Sequence, residues 1–259
     1  MLYSVLGPLR VIDEGTARTP SAGKVRVLLA TLLMHVGDVV STTELMEEIW
    51  GSAPPRRADA AIHVYVSHAR KLLNATTRGR SDRIVTRAPG YLLELGDDQL
   101  DSSAFERAFD EGRAQFDQRR YFDASDTFGC ALGMWGGSVL TNVEMGPSLR
   151  VRTIRLEEMR LIALELKMNA DLALGRHQEV SRQLAGLTRE HPMREAFHGQ
   201  FMLALYRSQR QAEALRVYLR LRTTLREELG LEPCRPVQEL QQAILKADPR
   251  LELQLVPTG

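Results

Sequence analysis

Residues 56–74 read RRADAAIHVYVSHARKLLN, and residues 84–95 read IVTRAPGYLLEL. At 100° per residue, Ile62, Tyr65, Val66, Ala69, Leu72 and Leu73 fall on one side of a helix running from about Ala58 to Asn74. That side is the expected core face. The other side carries Ala60, His63, Val64, Ser67 and Lys71, with His68 and Arg70 at its margins. A helix anchored on one side and short, polar or basic on the other is the shape that the major groove of a duplex admits. Ala60 and Val64 can touch thymine methyl groups, and Ser67, His68 and Lys71 can bond to bases or phosphates. An ordinary amphipathic surface helix has the same pattern, so the helix alone leaves both readings open. The second stretch predicts a β-hairpin, IVTR and YLLEL about an Ala88-Pro89-Gly90 turn. Arg87 lies beside its tip, where a wing can place a cation in a minor groove, the site of most negative potential.

Working upstream, Ser41-Thr42-Thr43-Glu44 has the spacing of a capping box, in which Ser41 accepts from the first turn and Glu44 reaches back. The short helix it opens carries Leu45, Met46, Ile49 and Trp50 and stops at Gly51 and Pro54-Pro55. Its first N–H groups, around Thr42 and Thr43, can face a phosphate. The Trp50 indole can donate to a phosphate or serve as core. Before it, Val25, Leu28, Leu29, Leu32, Leu33 and Val36 recur with helical spacing and mark one buried face, ended by Gly37. Residues 2–12 predict two short strands broken by Gly7-Pro8. Strands, three helices and a hairpin, in that order, are the order of a winged helix-turn-helix.

Charge supports a phosphate-facing surface in the same region. The chain has 259 residues and a net formal charge of only +1. Within 56–91, however, eight basic residues (Arg56, Arg57, Arg70, Lys71, Arg78, Arg80, Arg83, Arg87) meet two acids, Asp59 and Asp82. A solvated basic face is the competing explanation. With 44% hydrophobic and 26% charged residues the composition is that of a globular protein. No apolar run approaches the roughly 18–20 residues of a membrane span, so no membrane partner is expected. Cys130 and Cys234 have no partnering motif, which argues against a disulfide framework or zinc site and for a reducing, cytoplasmic setting.

From about Asp101 onward the pattern is helical and repeats. GRHQEV (175–180) and QRQAEA (209–214) stand 34 residues apart, with a weaker echo in RRYFDA (119–124). That is the tetratricopeptide period. The pairs Asp123-Ala124, Glu179-Val180 and Glu213-Ala214 are expected to open the second helix of each unit, the residue after each acid letting two helices approach.

At this point a family is recognisable. Residues 23–95, with TTELMEEIWG, VYVSHARKLL and RIVTRAPGYLLEL, resemble the OmpR-type winged-helix domain. Residues 101–248, with AFERAFDEGRAQF, ALGMWGG and REHPMREAFHGQFMLALYRSQRQAEALRVYLRLRTTLREELGLEP, resemble the bacterial transcriptional activator domain. Together they resemble a small Streptomyces antibiotic regulatory protein. The resemblance implies a mainly α fold with a small β component. Residues 1–97 are then a winged helix-turn-helix DNA-binding domain and 98–259 an all-α, tetratricopeptide-like activator domain.

It further implies a transcriptional activator that binds direct repeats of double-stranded promoter DNA near the −35 element as a side-by-side pair. Such proteins recruit RNA polymerase through the sigma factor's −35-reading domain and switch on a secondary-metabolite gene cluster. Matched to the motif, Ala60, Val64, Ser67, His68 and Lys71 on the helix and Arg87 and Tyr91 on the wing face DNA. Thr42, Thr43, Trp50, Arg57 and Arg70 anchor phosphates. Related winged helices often carry Arg at several reading positions; here they are Ala60, Ser67 and His68.

No G-x-x-x-x-G-K-[ST] phosphate loop occurs in the sequence. The expectation is a regulator without receiver or ATPase modules, governed by abundance or a partner rather than by phosphotransfer or nucleotide, and needing no cofactor. An enzyme is the first rival, but no nucleophile elbow or H-E-x-x-H occurs, and His191 and His198 lack a completing ligand. A peptide-binding adaptor and a repressor are the other two.

Overall fold

The structure, a computed structural model, describes residues 1–74 and 82–252. Arg78 and Arg80 of the expected basic loop lie outside the described residues. Two compact units make up the chain: Met1–Asp110 with Cys130–Leu161, and Glu111–Gly129 with the chain from Ile162 onward. The expected sequence boundary at 97/98 falls inside the first unit.

The first unit opens with β1 (Leu2–Ser4), β2 (Arg10–Asp13) and β3 (Thr16–Ala17), an antiparallel meander. Then follow α1 (Gly23–Met34), β4 (Val39–Ser41), α2 (Thr42–Trp50), α3 (Ala58–Asn74), β5 (Ile84–Arg87) and β6 (Gly90–Leu93). Next, β7 (Gln99–Leu100) pairs parallel to β1 and leads into α4 (Asp101–Asp117). Beyond it lie α5 (Tyr121–Gly133) and α6 (Pro147–Ala173). The two sheets have strand orders β3-β2-β1-β7 and β4-β6-β5.

The reversal between β1 and β2 has backbone groups outside its ladder, and a buried polar group without a partner is costly. Residues from far along the chain supply those partners. Asp101 accepts the Val5 and Leu6 N–H groups at 2.8 and 3.2 Å. Gly136 and Leu140 N–H groups donate to Leu6 and Gly7 carbonyls, both at 2.7 Å. The Asn142 side chain accepts from Leu9 N–H at 2.7 Å and donates to its carbonyl at 3.2 Å. Burial pushes the Asp101 carboxyl up from its ordinary pKa, against the opposing pull of the N–H groups it accepts.

The expected single buried face of α1 is too narrow. Val25, Leu28, Leu29, Leu32 and Leu33 are buried, but so are Val27, Ala30, Thr31 and Met34. One side packs on α2, α3 and β6. At its C-terminal end, the His35 ring meets Arg152 Nε at 2.9 Å and Ser148 Oγ at 3.2 Å, both from α6. Those partners are more than a hundred residues away in sequence, so local periodicity carries no sign of them.

The capping box forms as expected: Glu44 N–H donates to Ser41 Oγ at 3.1 Å and Ser41 N–H to Glu44 Oε2 at 2.9 Å. The backbone bond from Ser41 holds the Glu44 carboxyl below the usual range. In α3, Ile62, Val66, Ala69 and Leu73 are buried. Tyr65 and Leu72, read as core, are only half-buried; Tyr65 instead leans on Trp50, ring centroids 6.0 Å apart. The hairpin β5–β6 has the expected turn, and its inner strand also pairs with β4, with Ser41 opposite Gly90. A Cβ at Gly90 would lie 1.9 Å from the Val40 carbonyl oxygen, so only glycine permits this pairing.

The second unit continues with α7 (His177–Glu190), α8 (Glu195–Arg207), α9 (Gln211–Leu229), α10 (Arg235–Leu245) and a 3₁₀ turn, Pro249–Leu251. Three of its turns share one geometry. Arg119, Gly175 and Gln209 have φ of +59°, +80° and +62°. The next residue in each case, Arg120, Arg176 or Arg210, donates its N–H to the carbonyl five residues back at 2.9 Å. Ala124, Val180 and Ala214 then enter the core fully buried. The small-residue echo in the sequence is thus an echo of the turn itself. Near the second turn, Asp171 is 1% exposed and receives Ser125 Oγ, Lys167 Nζ and Arg176 Nη1, each at 2.7 Å. Burial raises its pKa, but these donors outweigh burial and hold it below the usual carboxylate range.

Two outcomes are expected. Gly90→Ala lowers unfolding stability by about 1–3 kcal/mol in urea titration, because β4 must move from β6. Asp171→Asn lowers stability by about 3 kcal/mol at neutral pH. The folded-state pKa of Asp171 is depressed, so its contribution is present above the unfolded value of about 3.9 and lost as pH falls through the folded one. The gap between wild type and variant therefore narrows below about pH 4, as thermal melts against pH will read.

Candidate nucleic-acid interface

The exposed side of α3 is the one expected from the sequence. Ala60, Val64, Ser67, His68 and Lys71 are exposed, Val64 to 50%. Arg57 is exposed just ahead of the helix, Thr43 at the first turn of α2, and Arg87 at the end of β5. All eight lie in the first unit, on one helix, one helix N-terminus and one hairpin.

Three candidates make their polar contacts within the protein itself, and a fourth, Trp50, packs its ring there. Tyr91, expected to face outward on the wing, is 3% exposed. Its hydroxyl lies 2.7 Å from His63 Nδ1, and the Arg70 guanidinium sits 5.9 Å from its ring centroid. Arg70, expected as a phosphate anchor, donates from Nε to the Ile84 carbonyl and from Nη2 to Thr86 Oγ1, both at 2.8 Å. The Thr42 N–H and hydroxyl both donate to the Pro89 carbonyl, at 3.2 and 3.3 Å. Trp50 is half-buried; Lys24 Nζ stands 5.4 Å over its ring while donating to the Ile49 carbonyl at 3.0 Å. Of the open alternatives for Trp50, packing is present, and it joins α1, α2 and α3. Arg70, Tyr91 and Thr42 fasten the hairpin to α3 and α2.

His63 is the residue that sequence reasoning placed on the face but did not select. Burial raises the Tyr91 pKa, with the Arg70 charge opposing it, so the phenol keeps its proton. The Tyr91 hydroxyl and His63 Nδ1 share one hydrogen bond whose donor is set by the imidazole tautomer, and the His63 ring is exposed. The signal was available: His63 is spaced i, i+4 from Ser67 on the reading face.

Among the described residues no group of three His, Cys, Asp or Glu is placed to hold a metal ion, and no helix is long and apolar enough to cross a membrane. Cys130 and Cys234 are free and exposed.

A half-buried, hairpin-locked helix with a small and basic outer face, beside an exposed wing arginine, belongs to a winged-helix DNA-binding regulator. Comparison with known proteins agrees. Residues 19–93 match the family "Transcriptional regulatory protein, C terminal", and residues 100–245 match the "Bacterial transcriptional activator domain". Regulatory protein DnrI of Streptomyces peucetius is 40% identical over 97% of this chain and 94% of its own length. Regulatory protein AfsR of Streptomyces coelicolor is also 40% identical, but the chain spans only 24% of it. The solved structure of Mycobacterium tuberculosis EmbR in complex with a low affinity phosphopeptide superposes with a TM-score of 0.90 at 34% identity, covering 95% of this chain and 65% of that one. The chain belongs to the Streptomyces antibiotic regulatory protein family, with an OmpR-type winged helix followed by a bacterial transcriptional activator domain, and it is a regulator, not an enzyme.

Tyr91→Phe removes the bond to His63 while keeping the buried ring. It is expected to cost about 1 kcal/mol in urea denaturation and to shift the His63 ring resonances in NMR, with the rest of the spectrum preserved.

Proposed function

We propose that this chain is a sequence-specific transcriptional activator that lays α3 in the major groove of promoter DNA and the β5–β6 hairpin along the adjacent minor groove. Ala60, Val64, Ser67 and His68, with His63, read bases. Lys71, Arg57, Thr43 and the Trp50 indole position phosphates, and Arg87 enters the minor groove. Arg70, Tyr91 and Thr42 position the helix and wing relative to each other. The observation that carries the reading is the exposure of Val64, Ser67, His68 and Lys71 on a helix whose opposite face is buried and whose hairpin is bonded to it.

On this reading the protein works in the cytoplasm, on the nucleoid. It binds direct repeats near the −35 element as a side-by-side pair and recruits RNA polymerase through the sigma factor's −35-reading domain. Its target is a secondary-metabolite biosynthetic cluster. Family membership and the names of DnrI, AfsR and the transcriptional regulator RedD support a role in transcription.

Footprinting on the upstream regions of neighbouring genes tests the proposal: protection of two equally spaced half-sites is expected. Absence of any shift at low salt would leave an adaptor instead. Transcription in vitro with and without the protein separates activator from repressor. Lys71→Ala is expected to lower the slope of log K against log salt by ~1, as one phosphate contact is lost. Ser67→Ala is expected to cost ~1–3 kcal/mol on the preferred site and nearly nothing on random DNA. Equal losses on both would take Ser67 out of base reading.

A further inference from the structure

His198, on α8, is 6% exposed, and neither ring nitrogen has a hydrogen-bond partner among the described residues. The Pro192 carbonyl is near enough to favour the protonated ring without reaching hydrogen-bond geometry. A buried imidazole carries one donor and one acceptor, and leaving both unmade is costly. The sequence offers this histidine only as half of a metal pair with His191, and no metal cluster forms around it among the described residues.

What surrounds the ring suggests its use. His198 lines a cavity of about 240 Å³ within the second unit, walled by Pro192, Phe201 and Val217 and bordered by Arg189 and Arg220. These residues come from α7, α8 and α9 and the turn between α7 and α8. The two arginines are exposed, and among the described residues neither has a carboxylate partner. Burial first, and the Arg220 charge with it, push the His198 pKa below its ordinary value despite Pro192 and Glu195, so the ring is neutral near pH 7. A neutral ring offers a hydrogen bond without repelling an arginine-bound anion's own partners.

We infer that this cavity is an effector site for a small aromatic hydroxy acid. The carboxylate meets Arg189 and Arg220, the ring lies against Phe201 and Val217, and a hydroxyl pairs with His198. Guanidinium groups suit a carboxylate because they bond it with matched, charge-assisted donors. An apolar wall with a few convergent polar groups is the usual make-up of a small-molecule site, and this volume suits a single ring rather than a larger ligand. Because three helices contribute, occupancy stabilises their stack by mass action. The site lies outside the proposed DNA-reading surface, so its test does not depend on that reading.

The test is calorimetric titration of 4-hydroxybenzoate into the full chain, with benzoate and inorganic phosphate as comparison ligands. Saturable one-site binding with a Kd on the order of 1 mM or tighter is expected. Arg189→Gln and Arg220→Gln, at exposed side chains, each weaken it about tenfold. Benzoate binds the native chain about tenfold more weakly than 4-hydroxybenzoate, and His198→Phe, checked for folding by its thermal melt, abolishes that difference. Failure to saturate overturns the inference. So does binding that both arginine variants retain, a hydroxyl preference that survives His198→Phe, or phosphate binding of equal strength.

Discussion

Glu48 lies on the buried side of α2, 4% exposed, and its carboxylate oxygens accept the Ser148 and Leu149 N–H groups at 2.9 and 3.2 Å. Burying a carboxylate is expensive unless charge and hydrogen bonds answer it. Here the answer is the first turn of a 27-residue helix, whose N–H groups have no intrahelical partner and whose dipole is positive at that end. Each group solves the other's problem. The contact also demands close approach: a Cβ on Gly146 would lie 2.6 Å from the Glu48 carbonyl oxygen. Removing the carboxylate would strand two buried donors and loosen α2, the helix that carries Thr43 and Trp50 and whose first residue holds the hairpin tip. The reader and the start of α6 are therefore one structural piece.

Within that piece α3 cannot be treated as a free rod. Its core face fixes its roll, but its tilt against the hairpin depends on polar contacts. Arg70 spans to Ile84 and Thr86, Tyr91 reaches His63, and Pro89 receives Thr42. A groove-binding surface needs its side chains held to a fraction of an ångström by supporting contacts. Residues that resemble DNA contacts by type and position supply that support here. An arginine at a helix margin can serve a phosphate or a hairpin carbonyl, and its sequence is the same in either case.

This explains what the sequence disclosed and what it withheld. The roll of α3, the capping box and the hairpin turn are local: period, spacing and turn chemistry sit within a few residues of each other. Ile62, Val66, Ala69 and Leu73 are buried for the reason their spacing gives. Tyr65 and Leu72, at the edges of the same arc, are only half-covered because hydrophobicity sets a direction, not a width. The strand β4 is three residues long and has no periodic signal, and only the lack of room at Gly90 records its presence. The His35 contact with α6, the Asp101 and Asn142 caps on residues 5–9, and Glu48 on α6 all join residues about a hundred positions apart. No window along the chain contains both partners.

The helical unit makes the complementary point about repeats. Its sequence echo is faint, yet the turn it encodes recurs three times with the same left-handed residue and the same N–H to carbonyl closure. Only one of the three, Gly175, is a glycine; Arg119 and Gln209 adopt that conformation with a Cβ, at a cost that glycine avoids. Tertiary packing must cover that cost, and the buried Ala124 and Ala214 that follow these turns are where it does so. A conformation held against local preference in this way is specified by the fit of the helices it joins. The buried residue five places on, rather than the turn residue itself, is thus the more faithful marker of the repeat.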